Sequence, residues 1–130
     1  SMMEIDKDLL ASLFAMAKEN PRKRQNYDMR TSGEDKSQRM LNALLPGTEV
    51  AIHRHPNSSE SVVCLCGRMD EIIYDEKMKE VERIPLCPSK GIYGCQVPKG
   101  AWHRVEVFEP SVIFEAKDGM YGEDGSEMAK

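Results

Sequence analysis

The stretch GTEVAIHRHPNSSESVVCLCG, Gly47 to Gly67, carries two of the chain's three histidines and, five residues after the second, a glutamate. Thr48 to His55, a run with β-branched residues bounded by Gly47 and Pro56, reads as a strand. Successive side chains of a strand point to opposite faces. Glu49, Ala51, His53 and His55 then share one face, and Thr48, Val50, Ile52 and Arg54 the other. Two histidines at i and i+2 stand roughly 7 Å apart along the backbone, so their imidazoles can lean toward one ion. Pro56 to Ser59 is a turn that returns Glu60 beside the pair. Glu60 is in register with Val62, Cys64 and Cys66, which places both cysteines on the cavity side as small apolar residues. Two imidazoles and a carboxylate with open positions beside them suit a divalent transition metal.

The third histidine, His103, follows a turn in PKGAWH, where Pro98 and Gly100 deliver it at a strand start. It alternates with Val105 and Val107, while Trp102, Arg104, Glu106 and Phe108 take the other face. Trp102 is therefore expected to pack, or to face a second copy of the chain. Imidazoles buried in a sheet core without partners would be costly, so ligation explains all three together.

Outward from these motifs, Arg39–Leu45, Thr48–His55, Ser61–Cys66, Met69–Tyr74, Val81–Leu86, Gly94–Val97, Trp102–Phe108 and Val112–Ala116 read as strands, with a hairpin turn at Asp75–Lys79. About eight short strands at close spacing predict an all-β sandwich or barrel. Asp6 to Glu19 reads as an amphipathic helix, with Leu9, Leu10, Leu13, Phe14, Met16 and Ala17 at helical spacing, Asp6 as its cap and Asn20-Pro21 as its stop. Residues 1–38 form a helix and arm, 39–117 the barrel, and 118–130 a polar, loose tail. Met40, Leu41, Leu44 and Leu45 are core or interface.

The bulk numbers fit one globular domain of 130 residues, 40% hydrophobic. The formal charge of −4 argues against a nucleic-acid partner, and no apolar run is long enough for a membrane helix. With no export signal visible, a cytoplasmic protein is expected, with its four cysteines as free thiols. The cysteine spacing is poor for a zinc site.

The two histidine stretches resemble the two cupin motifs. G-x5-H-x-H-x4-E-x6-G fits at Gly47, His53, His55, Glu60 and Gly67, and P-x-G-x-x-H at Pro98, Gly100 and His103, with Gly91 upstream. The second motif often closes on an asparagine; here Val107 stands in that place. More narrowly, NPRKRQNYDMR (residues 20–30), QRMLNALLPGTEVAIHRHPNSSESVVCLCGRMDEIIYDE (38–76) and EAKDGMY (115–121) resemble the WbuC family of cupin-fold metalloproteins. That resemblance implies a cupin jelly roll with a short N-terminal helix and arm. It also implies one divalent metal ion per chain (zinc, iron, manganese or nickel) and a setting in surface-polysaccharide synthesis.

The expected site is then His53, His55, Glu60 and His103 as metal ligands, with Glu60 either a ligand or a proton-moving base. Arg22, Arg24, Arg39, Asn26 and Tyr27 are candidate substrate-binding residues. The cluster Arg22-Lys23-Arg24 suits the end of a helix, whose dipole attracts cations, or an anionic substrate group. Arg39 suits an anion or a neighbouring acid equally. Three functions follow. One is a metal-dependent isomerase or epimerase acting on a sugar or sugar nucleotide, one an iron-dependent dioxygenase, and one a non-catalytic module binding a carbohydrate or carboxylate. Open sheet edges favour a homodimer.

Overall fold

Asp6 caps helix α1 (Lys7–Glu19): its carboxylate accepts the Leu9 N–H at 2.9 Å, a contact that stabilises a helix by about 1 kcal/mol. Asn20, extended ahead of Pro21, ends it. These elements belong to a computed structural model that describes residues 2–123 and 125–129. The apolar stripe of α1 buries Leu13 and Ala17 against Leu41, Ala43 and Val112. Burying a leucine fully is worth about 1.5–3 kcal/mol, so this contact fixes the helix to the outer face of the sheet.

The arm after the helix is itself a strand, β1 (Arg24–Asp28), paired antiparallel with β2 (Ser37–Leu44) in the register Arg24↔Leu44, Asn26↔Asn42 and Asp28↔Met40. Its sequence RQNYD lacks apolar alternation because one face meets the helix-side cluster through Tyr27 and the other lines a polar cavity.

Strand β3 is shorter than the expected Thr48–His55 and pairs only at His53–Arg54. The carbonyls ahead of it serve other donors. Glu49 O accepts from Arg24, Ala51 O lies 2.9 Å from His53 Nδ1, and Ile52 O accepts the Ala129 N–H.

Two pairs of expected strands each form one long strand, β4 (Glu60–Tyr74) and β7 (Trp102–Asp118). The ladder between them shifts register at Cys64, Cys66, Arg68 and Met69. Such bulges bend a strand without ending it. Gly67 sits in that bend at φ 93°, where an added Cβ would lie 2.3 Å from the Pro110 carbonyl oxygen. A hairpin closed by Asp75 and Lys79 joins β4 to β5 (Glu80–Leu86), and β6 (Gly94–Val97) pairs with the first half of β4.

The tail, expected to be loose, contributes β8 (Glu127–Met128), which pairs with β3 and ties Glu127 to Arg54 at 2.8 Å. The strand order β1-β2-β7-β3-β8, with β4 joining β5, β6 and β7, closes an all-β jelly roll. Its interior core is Leu44, Val62, Cys64, Met69, Leu86, Val97, Val105, Val107 and Ile113. Cys64 belongs to this core, and after the register shift Cys66 joins the helix-side cluster, so neither lines the histidine cavity. Among the described residues, no helix is long and apolar enough to cross a membrane.

Candidate metal centre

Antiparallel pairing sets His53 directly opposite His103. Side-chain alternation adds His55 to the same face, and the three rings converge with centroids 4.2, 5.2 and 5.5 Å apart. One nitrogen from each can be chosen so that all lie within 4.8 Å of one another. Each ring is oriented from its Nδ1 side: His53 Nδ1 is 2.9 Å from Ala51 O, His103 Nδ1 is 2.9 Å from Ala101 O, and His55 Nδ1 is 2.9 Å from Ser126 Oγ. A carbonyl beside Nδ1 selects the tautomer protonated there and leaves the Nε2 lone pair free. Burial pulls the pKa of His53 down, helped by the neighbouring His103, and burial pulls His103 down as well. Both favour the neutral, ligating imidazole.

Glu60 completes the cluster. It is 4% exposed, and its Oε2 stands 3.5 Å from His55 Nε2 and 3.6 Å from His103 Nε2. That oxygen has no hydrogen-bond partner among the described residues. A buried, unpartnered carboxylate oxygen facing two imidazole nitrogens is costly unless a cation occupies the space between them. The donor set of three nitrogens and one oxygen fits a divalent transition metal, so the residues present fit the group that the sequence implies.

The cluster forms the floor of a cavity of about 650 Å³, within the usual range for a small-molecule site. Because β7 bends, both its ends reach this cavity: His103 and Val105 from one, Ile113, Glu115 and Lys117 from the other. Two acids here were not expected from the sequence. Burial holds Glu71 well above the usual carboxylate range, with the charges of Glu60 and Glu115 adding to the effect. Glu115 is raised likewise, by burial and by the neighbouring charge of Glu60. The available signal was clear only for Glu115, a lone acid in the apolar run VIFEA in step with Ile113 and Lys117; Glu71 follows Asp70 and is turned inward by the bulges of β4.

The tail walls one side through Tyr121, Gly122, Gly125, Ser126 and Met128. Of the expected substrate residues, Arg22, Arg24 and Asn26 line the cavity. Tyr27 instead packs against the helix-side cluster, and Arg39 pairs with Asp35 at 2.8 Å, outside the cavity lining. Trp102 faces the other way, with the Arg54 guanidinium 4.4 Å from its ring centroid and Glu76 accepting its indole N–H. All four cysteines are free. Burial pushes the Cys64 thiol up to about 11 and Cys95 to about 12, so neither offers a thiolate at neutral pH.

The family model described as "Domain of unknown function (DUF6016)" matches residues 5–86, more than half of the chain, and the chain belongs to that family. No curated protein matches it by sequence. Similar solved structures include the capsular polysaccharide assembling protein CapF from Staphylococcus aureus, at TM-score 0.71 and 15% identity over 85% of this chain and 33% of that one. Recombinant oxalate oxidase in complex with glycolate aligns at TM-score 0.64 and 12% identity, over 84% of this chain and 56% of that one. The protein TT1209 from Thermus thermophilus aligns at TM-score 0.64 and 24% identity, over 91% of this chain and 98% of that one. This chain thus spans a third of CapF and about half of oxalate oxidase. At these identities the likeness establishes the fold, a cupin jelly roll.

Proposed function

We propose that this protein is a metal-dependent enzyme of surface-polysaccharide synthesis, acting as an isomerase or epimerase on a sugar or sugar-nucleotide intermediate. The observation that carries the reading is the unpartnered Glu60 Oε2 facing His55 and His103 inside a sugar-sized cavity. His53, His55 and His103 would hold one divalent ion, with Glu60 as fourth ligand or as base beside it. When bound, such an ion supplies Lewis-acid stabilisation of an oxyanion. Glu60, whose Oε2 faces His55 and His103, takes up the substrate proton. Asn26 and Asn42, opposite one another across β1 and β2, offer amide groups to substrate hydroxyls. The resemblance to the WbuC family and the likeness to CapF support the polysaccharide setting.

The test is solvent-proton exchange. Protein stripped and reloaded with zinc, manganese or iron is incubated in D2O with a panel of sugar phosphates and sugar nucleotides and followed by NMR. Deuterium entering a carbon-bound position with several of these metals, and not with a metal-loaded Glu60→Gln variant, is the expected result. A lack of exchange on every substrate, whichever metal is loaded, defeats the reading. Oxygen uptake confined to the iron form would replace it with the dioxygenase.

A further inference from the structure

The cavity carries opposite chemistry at its two ends. Its floor is the histidine cluster with Glu60, Glu71 and Glu115, and its wall on the arm side carries Arg22 and Arg24. Neither arginine has an acidic partner among the described residues, unlike Arg30, Arg39, Arg54 and Arg83, each of which is paired. Arg24 is nonetheless held in place. Its Nη1 donates to Glu49 O at 2.7 Å and lies 3.5 Å from Thr48 Oγ1, and the Thr48 hydroxyl donates to Arg22 O at 2.7 Å. Thr48 thus links the two positions. Burial and the neighbouring Arg22 charge both pull the Arg24 pKa down. Two neighbouring guanidiniums with no acidic partner among the described residues, one of them fixed and partly desolvated, repel each other, and an anion between them would relieve that repulsion.

We propose that Arg22 and Arg24 form a phosphate-binding end of this cavity, so that the ligand is a phosphorylated sugar or sugar nucleotide whose phosphate lies on the arm and whose sugar reaches toward the histidines. The fixed charge of Arg24 with the exposed Arg22 charge beside it matches a dianionic phosphate better than a single carboxylate, and a guanidinium donates to phosphate through paired N–H groups. The assignment deepens the function proposed above and rests on the same cavity being the substrate site.

Inorganic phosphate is the probe, titrated into the full-length, metal-loaded protein by calorimetry and 31P NMR. Arg22→Gln and Arg24→Gln should each weaken binding by about tenfold or more, the scale of one charged hydrogen bond, with metal content unchanged in both and the melting temperature unchanged in Arg22→Gln. Arg24→Lys should recover part of the loss, and Arg30→Gln should bind as the parent does. Equal binding by parent and both glutamine variants would overturn the proposal, as would an equal loss in Arg30→Gln. A His53→Ala, His103→Ala variant separates this idea from the metal reading. Phosphate binding that survives there with the same arginine dependence supports the anion end even if the ion is lost. Binding that vanishes with the metal and ignores the arginines refutes it.

Discussion

His53 and His103 are direct cross-strand partners, although fifty residues of chain separate them. The pairing puts two ligand nitrogens on one face of a rigid sheet before any ion arrives. A His53→Ala, His103→Ala double variant should therefore lose a metal that the parent carries at about one per chain, since one nitrogen and one carboxylate remain. Elemental analysis of both proteins, purified without chelator, checks this. Metal retained by the double variant would place the site elsewhere.

Ser126 reaches His55 Nδ1 from the tail at 2.9 Å. Hydrogen-bond partners behind a ligand histidine typically tune metal affinity by about 10–100-fold. Ser126→Ala should weaken zinc binding on that scale in competition with a chromophoric chelator, while Ser126→Thr largely preserves it. Unchanged affinity in the alanine variant would reduce the tail to a cover.

Glu71 is 4% exposed and its carboxyl is held well above the ordinary range, first by burial and then by Glu60 and Glu115. A carboxyl raised on folding contributes stability that is fully present below its unfolded value, about pH 4.3, and is lost as pH rises through the folded value. For metal-free protein, the denaturation midpoint of Glu71→Gln should gain on that of the parent as pH rises from about 4 to about 8. Parallel profiles for the two proteins would contradict the assignment.

Gly67 has φ 93°, and an added Cβ would meet the Pro110 carbonyl and Ser111 Oγ, both at 2.3 Å. Strain and overpacking together make Gly67→Ala cost about 2–4 kcal/mol, measurable by urea denaturation. A change below about 0.5 kcal/mol, the range of ordinary surface substitutions, would mean that the bend adapts.

Asp35 is pulled well below the usual carboxylate range, chiefly by its hydrogen bond from Arg39. A depressed carboxylate contributes stability above its unfolded pKa that is lost as pH falls. Asp35→Asn should lose this contribution at neutral pH and converge with the parent in acid. An equal difference at both ends of the range would exclude the ion pair as its source.

Much of this protein was legible in its residues because strand chemistry is local. Alternation around His53 and His55, the turn at Pro56–Ser59 and the glycine at 67 are each set by neighbours in the chain, and so are the cap at Asp6 and the stop at Pro21. Proline and glycine positions also marked Gly67 and Pro110 as breaks, where the folded chain bends and continues. Local rules cannot say whether such a strand ends, because that depends on a partner strand bulging in step. The same limit hid Glu71, Glu115 and Ser126. Glu115 and Ser126 become cavity residues only once β7 curves both its ends toward one space and the tail folds back along β3, and Glu71 only once the bulges of β4 change which face it presents. Residue order was enough to specify the three histidines, the glutamate and the strands that bear them. Folding in three dimensions was needed to make them share a cavity with two further acids, a tail serine and two arginines that have no acidic partner among the described residues, because long-range pairing sets which faces of distant strands meet.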